Sequence, residues 1–112
     1  MKQNFLIDEN ETLDNTIKKI LINSTRTVLV HAKNQKIIGV ISEGDIIRSI
    51  LQKKNLNSPA YKVMNKSFIY LLEKEDHDKA RKIFIKQNIS LLPVISKNFK
   101  LLKVITLKDL FN

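Results

Sequence analysis

Two pairs of residues carry the chemistry that this sequence can offer. Ser42 and Asp45 stand three apart in Gly39-Val40-Ile41-Ser42-Glu43-Gly44-Asp45-Ile46-Ile47-Arg48, and Thr106 and Asp109 repeat the spacing near the end of the chain. A hydroxyl followed at the third position by a carboxylate, between an apolar run and a helical pattern, is nearly a capping box. The hydroxyl accepts from a free backbone N–H, and the carboxylate reaches back to the cap. The same atoms suit a ligand. The free N–H groups of a helix N-terminus form an anion site, and a hydroxyl in the first turn can bind phosphate. A carboxylate beside it can accept two hydrogen bonds from the vicinal hydroxyls of a ribose. Val40 and Ile41, on the strand that leads into the helix, could supply the flat apolar wall an adenine ring needs. Capping and binding can coexist, and spacing alone does not choose between them.

Other chemistry is scarce. There is no cysteine, which excludes a disulfide framework, a thiol nucleophile and a thiolate metal site. His31 and His77 are the only histidines, and neither has the partner four residues away that would make a helical metal site. Glu73, Glu75, Asp76 and Asp78 form an acidic cluster, in which Asp76 and Asp78 read as dipole-favoured residues at a helix start. No Ser-His-Asp arrangement and no Gly-rich phosphate loop is recognisable, so no catalytic residue, no metal site and no enzyme activity is expected. The formal charge of +9 permits a polyanion partner, but the lysines are scattered, with Lys18-Lys19 and Lys53-Lys54 the longest runs. Patches rather than totals mark nucleic-acid binders, so a solvated lysine-rich surface is the better reading and nucleic acid is not expected. No run of 18 apolar residues exists, and Met1 to Phe5 leads directly into charged sequence, so a cytoplasmic protein is expected.

The elements that position these residues emerge from sliding the chain against itself. At a shift of 64, Glu9 falls on Glu73, Asp14 on Asp78, Val30 on Val94, Asn34 on Asn98, Val40 on Val104 and Asp45 on Asp109, with no gap. Within the first copy, Leu13, Thr16, Ile17, Ile20 and Leu21 follow the spacing of one helix face. Val28 to Val30 and Ile37 to Ile41 read as strands of a hairpin turned by Lys33 to Lys36, and Ile46, Ile47, Ile50 and Leu51 return to helical spacing. The second copy repeats the order. Ser67 to Leu72 reads as a strand, Ala80, Ile83 and Phe84 as a helix face, and Leu91 to Ile95 with Leu101 to Ile105 as the hairpin. Phe5 to Ile7 occupies the place of the strand at Phe68 to Leu71. Each copy is thus βαββα. A unit of this size cannot bury enough surface alone, so the two must pack together as a pseudo-twofold pair.

A strand followed by Gly-h-h-Ser/Thr-x-x-Asp-h-h-Arg (h being apolar) and a helix resembles the hallmark of CBS domains, which occur in pairs called Bateman modules. Val63-Met64-Asn65 resembles the start of a second CBS repeat, and Leu92-Pro93-Val94-Ile95 its central strand. The resemblance spans Asn4 to Phe111. It implies an α/β fold of two tandem βαββα repeats, residues 1–52 and 63–112, joined by a linker at 53–62. It also implies an adenosyl ligand in the cleft between repeats, with AMP, ADP or ATP as regulatory ligand and no cofactor required. Ser42 and Asp45, with Arg48 closing the motif, would serve one site, and Thr106 and Asp109 the other. The second site departs from the pattern: Lys103 replaces the glycine, Asn112 stands at the arginine position, and the final helix is expected to be missing. Leu29 stands where the second repeat has Pro93, a smaller departure. The implied function is a regulatory module acting on a catalytic partner or fused domain, such as a sugar-phosphate nucleotidyltransferase, and working as a homodimer. The alternative is an interaction module that dimerises without a small ligand.

Overall fold

The computed structural model describes residues 2–74 and 77–110; Glu75, Asp76 and Asn112, singled out above, lie outside the described residues. The first half runs β1 (Leu6–Asp8), α1 (Leu13–Ile22), β2 (Thr27–His31), β3 (Ile37–Ser42) and α2 (Glu43–Leu51). The second half runs β4 (Leu71–Leu72), α3 (His77–Lys86), β5 (Leu91–Ile95), β6 (Leu101–Thr106) and α4 (Leu107–Leu110). The starts of α3, β5, β6 and α4 lie 64 residues after those of α1, β2, β3 and α2. Each half is a three-stranded sheet in which the first strand pairs parallel with the second and the second pairs antiparallel with the third. Even the irregularities repeat. Bulges fall between Val30 and His31 and between Val94 and Ile95, and the hairpin residues Gln35 and Phe99 share a left-handed backbone, φ 71° and 63°.

Helix α1 begins at Thr12, whose hydroxyl accepts from Asn15 N–H at 3.1 Å, and buries Leu13, Thr16 and Ile20. Leu13 and Ile20 join Ile7, Val28, Val30, Ile41 and Ile46 in the core of the first repeat. The second repeat has the matching core of Leu71, Ala80, Phe84, Leu92, Val94, Ile105 and Leu110. A third cluster forms where the sheets face one another: Leu29 and Ile37 meet Leu91 and Ile95, with Phe5, Leu6, Val40, Phe68, Leu101 and Val104 packed against them. This shared layer explains why β5 reads as a continuous apolar run, buried at every position.

Four expectations change. The strand expected over 67–72 is reduced to Leu71–Leu72, because the chain before it crosses to the first repeat: Asn65 exchanges both backbone hydrogen bonds with Val40, at 2.8 and 3.0 Å. The stretch expected as a linker is strapped to the first repeat. Leu13 N–H donates to Ser58 C=O and Ala60 N–H to Glu11 C=O, both at 2.8 Å, and Ala60 is fully buried. The last helix is not missing outright, since α4 forms one turn at its expected place. Finally, the apolar helix faces are narrower than their spacing suggested. Leu21 is 64% exposed, and in α2 only Ile46 and Ser49 turn inward while Ile47, Ile50 and Leu51 face solvent. The single sheet beneath each helix covers one stripe, and residues one step of about 100° off that stripe are left outside.

Candidate functional site

At the end of β3 the chain turns directly into α2, and Ser42 caps the helix. Its hydroxyl accepts from Asp45 N–H at 3.3 Å, and its own N–H donates to Asp45 Oδ2 at 2.9 Å, which completes the capping box. The Ser42 hydroxyl also donates to Asp45 Oδ2 at 3.0 Å, and Asp45 Oδ1 is held by the Arg48 guanidinium. The Asp45 side chain is only 15% exposed, whereas Arg48 reaches into solvent. The carboxylate is therefore fixed by three donors, one of which, Arg48, lies on an exposed side chain.

These residues open onto a cleft of about 750 Å³ between the two repeats. Val40, Ser42, Asp45 and Arg48 line one side of it, with Glu43 and Gly44 completing the helix turn. Asn65, Ser67, Phe68 and Ile69 are drawn in by the Val40–Asn65 bridge, and Ile89, Leu91 and Pro93 supply an apolar wall from the second repeat. The loop Ser24–Thr27 closes the cleft. Its anchor is Asn23, whose amide donates to Asn4 C=O and Thr27 C=O and whose oxygen accepts from Thr25. Ser90 then donates to Thr25 C=O at 2.6 Å, which ties the two repeats together at the cleft. Arg26, with a left-handed φ of 55°, places its guanidinium 3.0 Å from Glu43.

Val40, Ser42, Asp45 and Arg48 are thus brought together, and the other three expected residues are not. Ile41 is fully buried in the first repeat's core, because strand alternation sends it to the opposite face from Val40. It is corrected from a wall of the cleft to a core residue. Thr106 and Asp109 form their own capping box, with Thr106 N–H donating to Asp109 Oδ2 at 2.8 Å and Asp109 N–H to the Thr106 hydroxyl at 3.3 Å. Neither lines the 750 Å³ cleft, which takes only Leu107 from that turn.

Sequence reasoning missed Arg26, Asn65, Phe68 and Ser90. The signal available was the polar loop Asn23 to Arg26 and its partner 64 residues on, Gln87 to Ser90, both placed just before a central strand. Among the described residues no group of three His, Asp or Glu side chains could hold a metal, and no helix is long and apolar enough to cross a membrane. The His31 ring nitrogen Nδ1 lies 2.9 Å from Ala32 C=O, a local structural contact.

The sequence model described as CBS domain matches this chain twice, over residues 1–52 and 60–112. The chain belongs to the CBS domain family. A 17.7 kDa protein of Acidianus ambivalens is 24% identical over 106 residues, which cover 95% of this chain and 64% of that protein. A homoserine O-acetyltransferase of Methanococcus vannielii is 29% identical over 117 residues, all of this chain but 23% of that enzyme. This CBS pair therefore spans from about a quarter to about two thirds of the length of these relatives. Among solved structures, a CBS domain protein from Pyrobaculum aerophilum, complexed with AMP, superposes with a TM-score of 0.79 at 24% identity, covering 93% of this chain and 80% of that one. The fold is thus that of a tandem CBS pair.

Proposed function

We propose that this CBS pair is a regulatory module that binds an adenine nucleotide of the AMP, ADP or ATP class in the cleft between its repeats. The observation that carries the reading is the meeting, in one 750 Å³ cleft, of the Ser42–Asp45–Arg48 constellation with an apolar wall from the other repeat. The volume suits a small-molecule site, for which about 300–1,000 Å³ is usual. The first turn of α2 and the Ser42 hydroxyl would receive a phosphate. Asp45 would accept the ribose hydroxyls once Arg48 swings from the carboxylate to the phosphate. Val40, Ile89, Leu91 and Pro93 would hold the base. The reading is of a regulatory module and asks no side chain in this cleft to make or break a bond.

Binding would change how the repeats pack. The ligand would touch α2 of one repeat and the wall of the other, across a boundary held by the Ser90–Thr25 hydrogen bond, the Val40–Asn65 bridge and the shared apolar layer. A ligand shifts such an equilibrium only by its difference in affinity for the two arrangements. The regulated target is a catalytic partner or fused domain in the cytoplasm. The occurrence of a similar segment within a much longer acetyltransferase supports a fused arrangement and leaves the enzyme class, nucleotidyltransferase included, to experiment.

The test is thermal unfolding with AMP, ADP, ATP, GTP, CMP and S-adenosylmethionine, repeated on Asp45→Ala and Asp109→Ala. A ligand at 100 times its dissociation constant adds about 2.7 kcal/mol, a melting shift on the order of 10 °C. A shift lost in Asp45→Ala and kept in Asp109→Ala is expected; no shift with any adenine nucleotide would sink the reading.

A second reading has its own observation. Leu21, Ile22, Ile47, Ile50 and Leu51 leave apolar surface exposed on both helices of the first repeat. Such a face suits a module that works by pairing with a second copy. This is compatible with ligand binding and becomes the leading reading if no ligand is found.

A further inference from the structure

The charges inside the cleft do not follow those of the whole chain. Against a formal charge of +9, the charged residues that line the cleft, among the described residues, are Arg26, Arg48, Glu43 and Asp45, which sum to zero, with no lysine among them. The four are already matched in two pairs, Arg48 with Asp45 and Arg26 with Glu43. The pairs differ in what a ligand can release. A ribose replaces Arg48 on Asp45 and leaves that guanidinium to a phosphate, so one ion pair opens into one anion site. With the ribose hydroxyls on Asp45, the phosphate end of a nucleotide offers Glu43 no donor. Arg26 is also joined to Glu43 twice, through the 3.0 Å ion pair and through Glu43 N–H, which donates to Arg26 C=O at 3.0 Å.

From this arrangement we infer that Glu43 is the residue that sets how many phosphates the site accepts, and that it selects a nucleoside monophosphate over the triphosphate. The inference rests on the nucleotide reading of the cleft. A phosphate monoester carries a charge of about −1.5 to −2 at pH 7, and Arg48 offsets one unit of it. Further phosphates must turn to Arg26, whose charge Glu43 cancels, and they approach the Glu43 carboxylate itself. Like charges brought together in a partly desolvated cleft repel, and the repulsion grows with each phosphate. The side chains of Arg26 and Glu43 are 60% and 51% exposed, so either can be changed without opening the core.

Isothermal titration of AMP and ATP, without divalent cations, on the wild-type chain, Glu43→Gln and Arg26→Gln decides the matter. The wild type is expected to bind AMP more tightly than ATP. Glu43→Gln should reduce that preference by about tenfold, equivalent to about 1.4 kcal/mol, and Arg26→Gln should increase it. Melting curves establish that both variants are folded. If AMP and ATP bind but their affinity ratio stays within about twofold in folded Glu43→Gln, the inference is overturned and the nucleotide site stands. If the wild type prefers ATP, it is likewise overturned. If neither nucleotide binds the wild type, the nucleotide reading fails and takes this inference with it.

Discussion

At the scale of single residues, the capping box of α2 and the proposed ligand site are the same atoms, so stability and binding should respond together. Ser42→Ala removes the acceptor for Asp45 N–H and should cost about 1 kcal/mol in urea unfolding. Thr106→Ala, at the head of a helix with one described turn, should cost less than half of that by the same measurement. Gly39 is a second point of leverage. A Cβ built there would lie 2.7 Å from Met64 Sδ, closer than real atoms approach. Gly39→Val should destabilise by about 1–3 kcal/mol through overpacking, and Met64→Ala should recover part of that loss in a double-mutant cycle. Strict additivity would show that the close approach of the crossing segment is not what requires glycine. Lys103, the repeat partner of Gly39, is exposed, and no described segment presses on it.

At the scale of elements, each helix presents one stripe to its sheet and leaves apolar residues outside. In α2 the outer residues are Ile47, Ile50 and Leu51, at 53%, 56% and 76% exposure, so they stay largely uncovered by the described residues. Ile50→Glu should therefore change the unfolding free energy by no more than about 0.5 kcal/mol in a monomer. If this face pairs copies of the chain, sedimentation velocity should show a wild-type dimer that Ile50→Glu dissociates. A wild type that sediments as a monomer at high micromolar concentration would remove the dimerisation reading. The helix spacing was legible in the sequence, but its meaning was not. An i, i+3, i+4 pattern gives the amphipathic period and does not say whether a wide apolar arc meets one neighbour or two.

At the scale of the whole molecule, the repeats are joined by a layer that belongs to neither. Leu29 and Ile95 are both fully buried there, one from each central strand. Leu29→Ala and Ile95→Ala should each cost about 2–5 kcal/mol, and each should lower one common transition in denaturant melts followed by circular dichroism and intrinsic tyrosine fluorescence. Two separate transitions, only one of them shifted, would mean that the repeats fold independently. The chain holds the join from several directions: the Ser90–Thr25 hydrogen bond, the backbone pairing of Val40 with Asn65, and the donation of Ile37 N–H to Phe99 C=O at 2.8 Å. These contacts frame the proposed ligand cleft, which is why its occupation could be felt across the pair.

Periodicity and self-similarity are local properties, and they were sufficient for the repeat, the order of its elements, the capping boxes and the family. A 64-residue shift aligns the elements because the same side-chain pattern demands the same local structure twice. Strand alternation was equally available in the sequence and would have assigned Ile41 to the core opposite Val40. Only the tertiary structure decided the rest. Of two equivalent motifs, both capping their helices, one lines the cleft and the other does not. The second repeat has one described turn of its last helix, and no described segment crosses to Val104 as Met64 and Asn65 cross to Gly39 and Val40. Arg26 and Ser90 became cleft residues through long-range packing, since a residue's neighbours across an interface leave no period in the sequence. The near-neutral charge of the cleft within a strongly basic chain was decided the same way. Net charge is a sum over residues, whereas the field at a site depends on which of them the fold brings close.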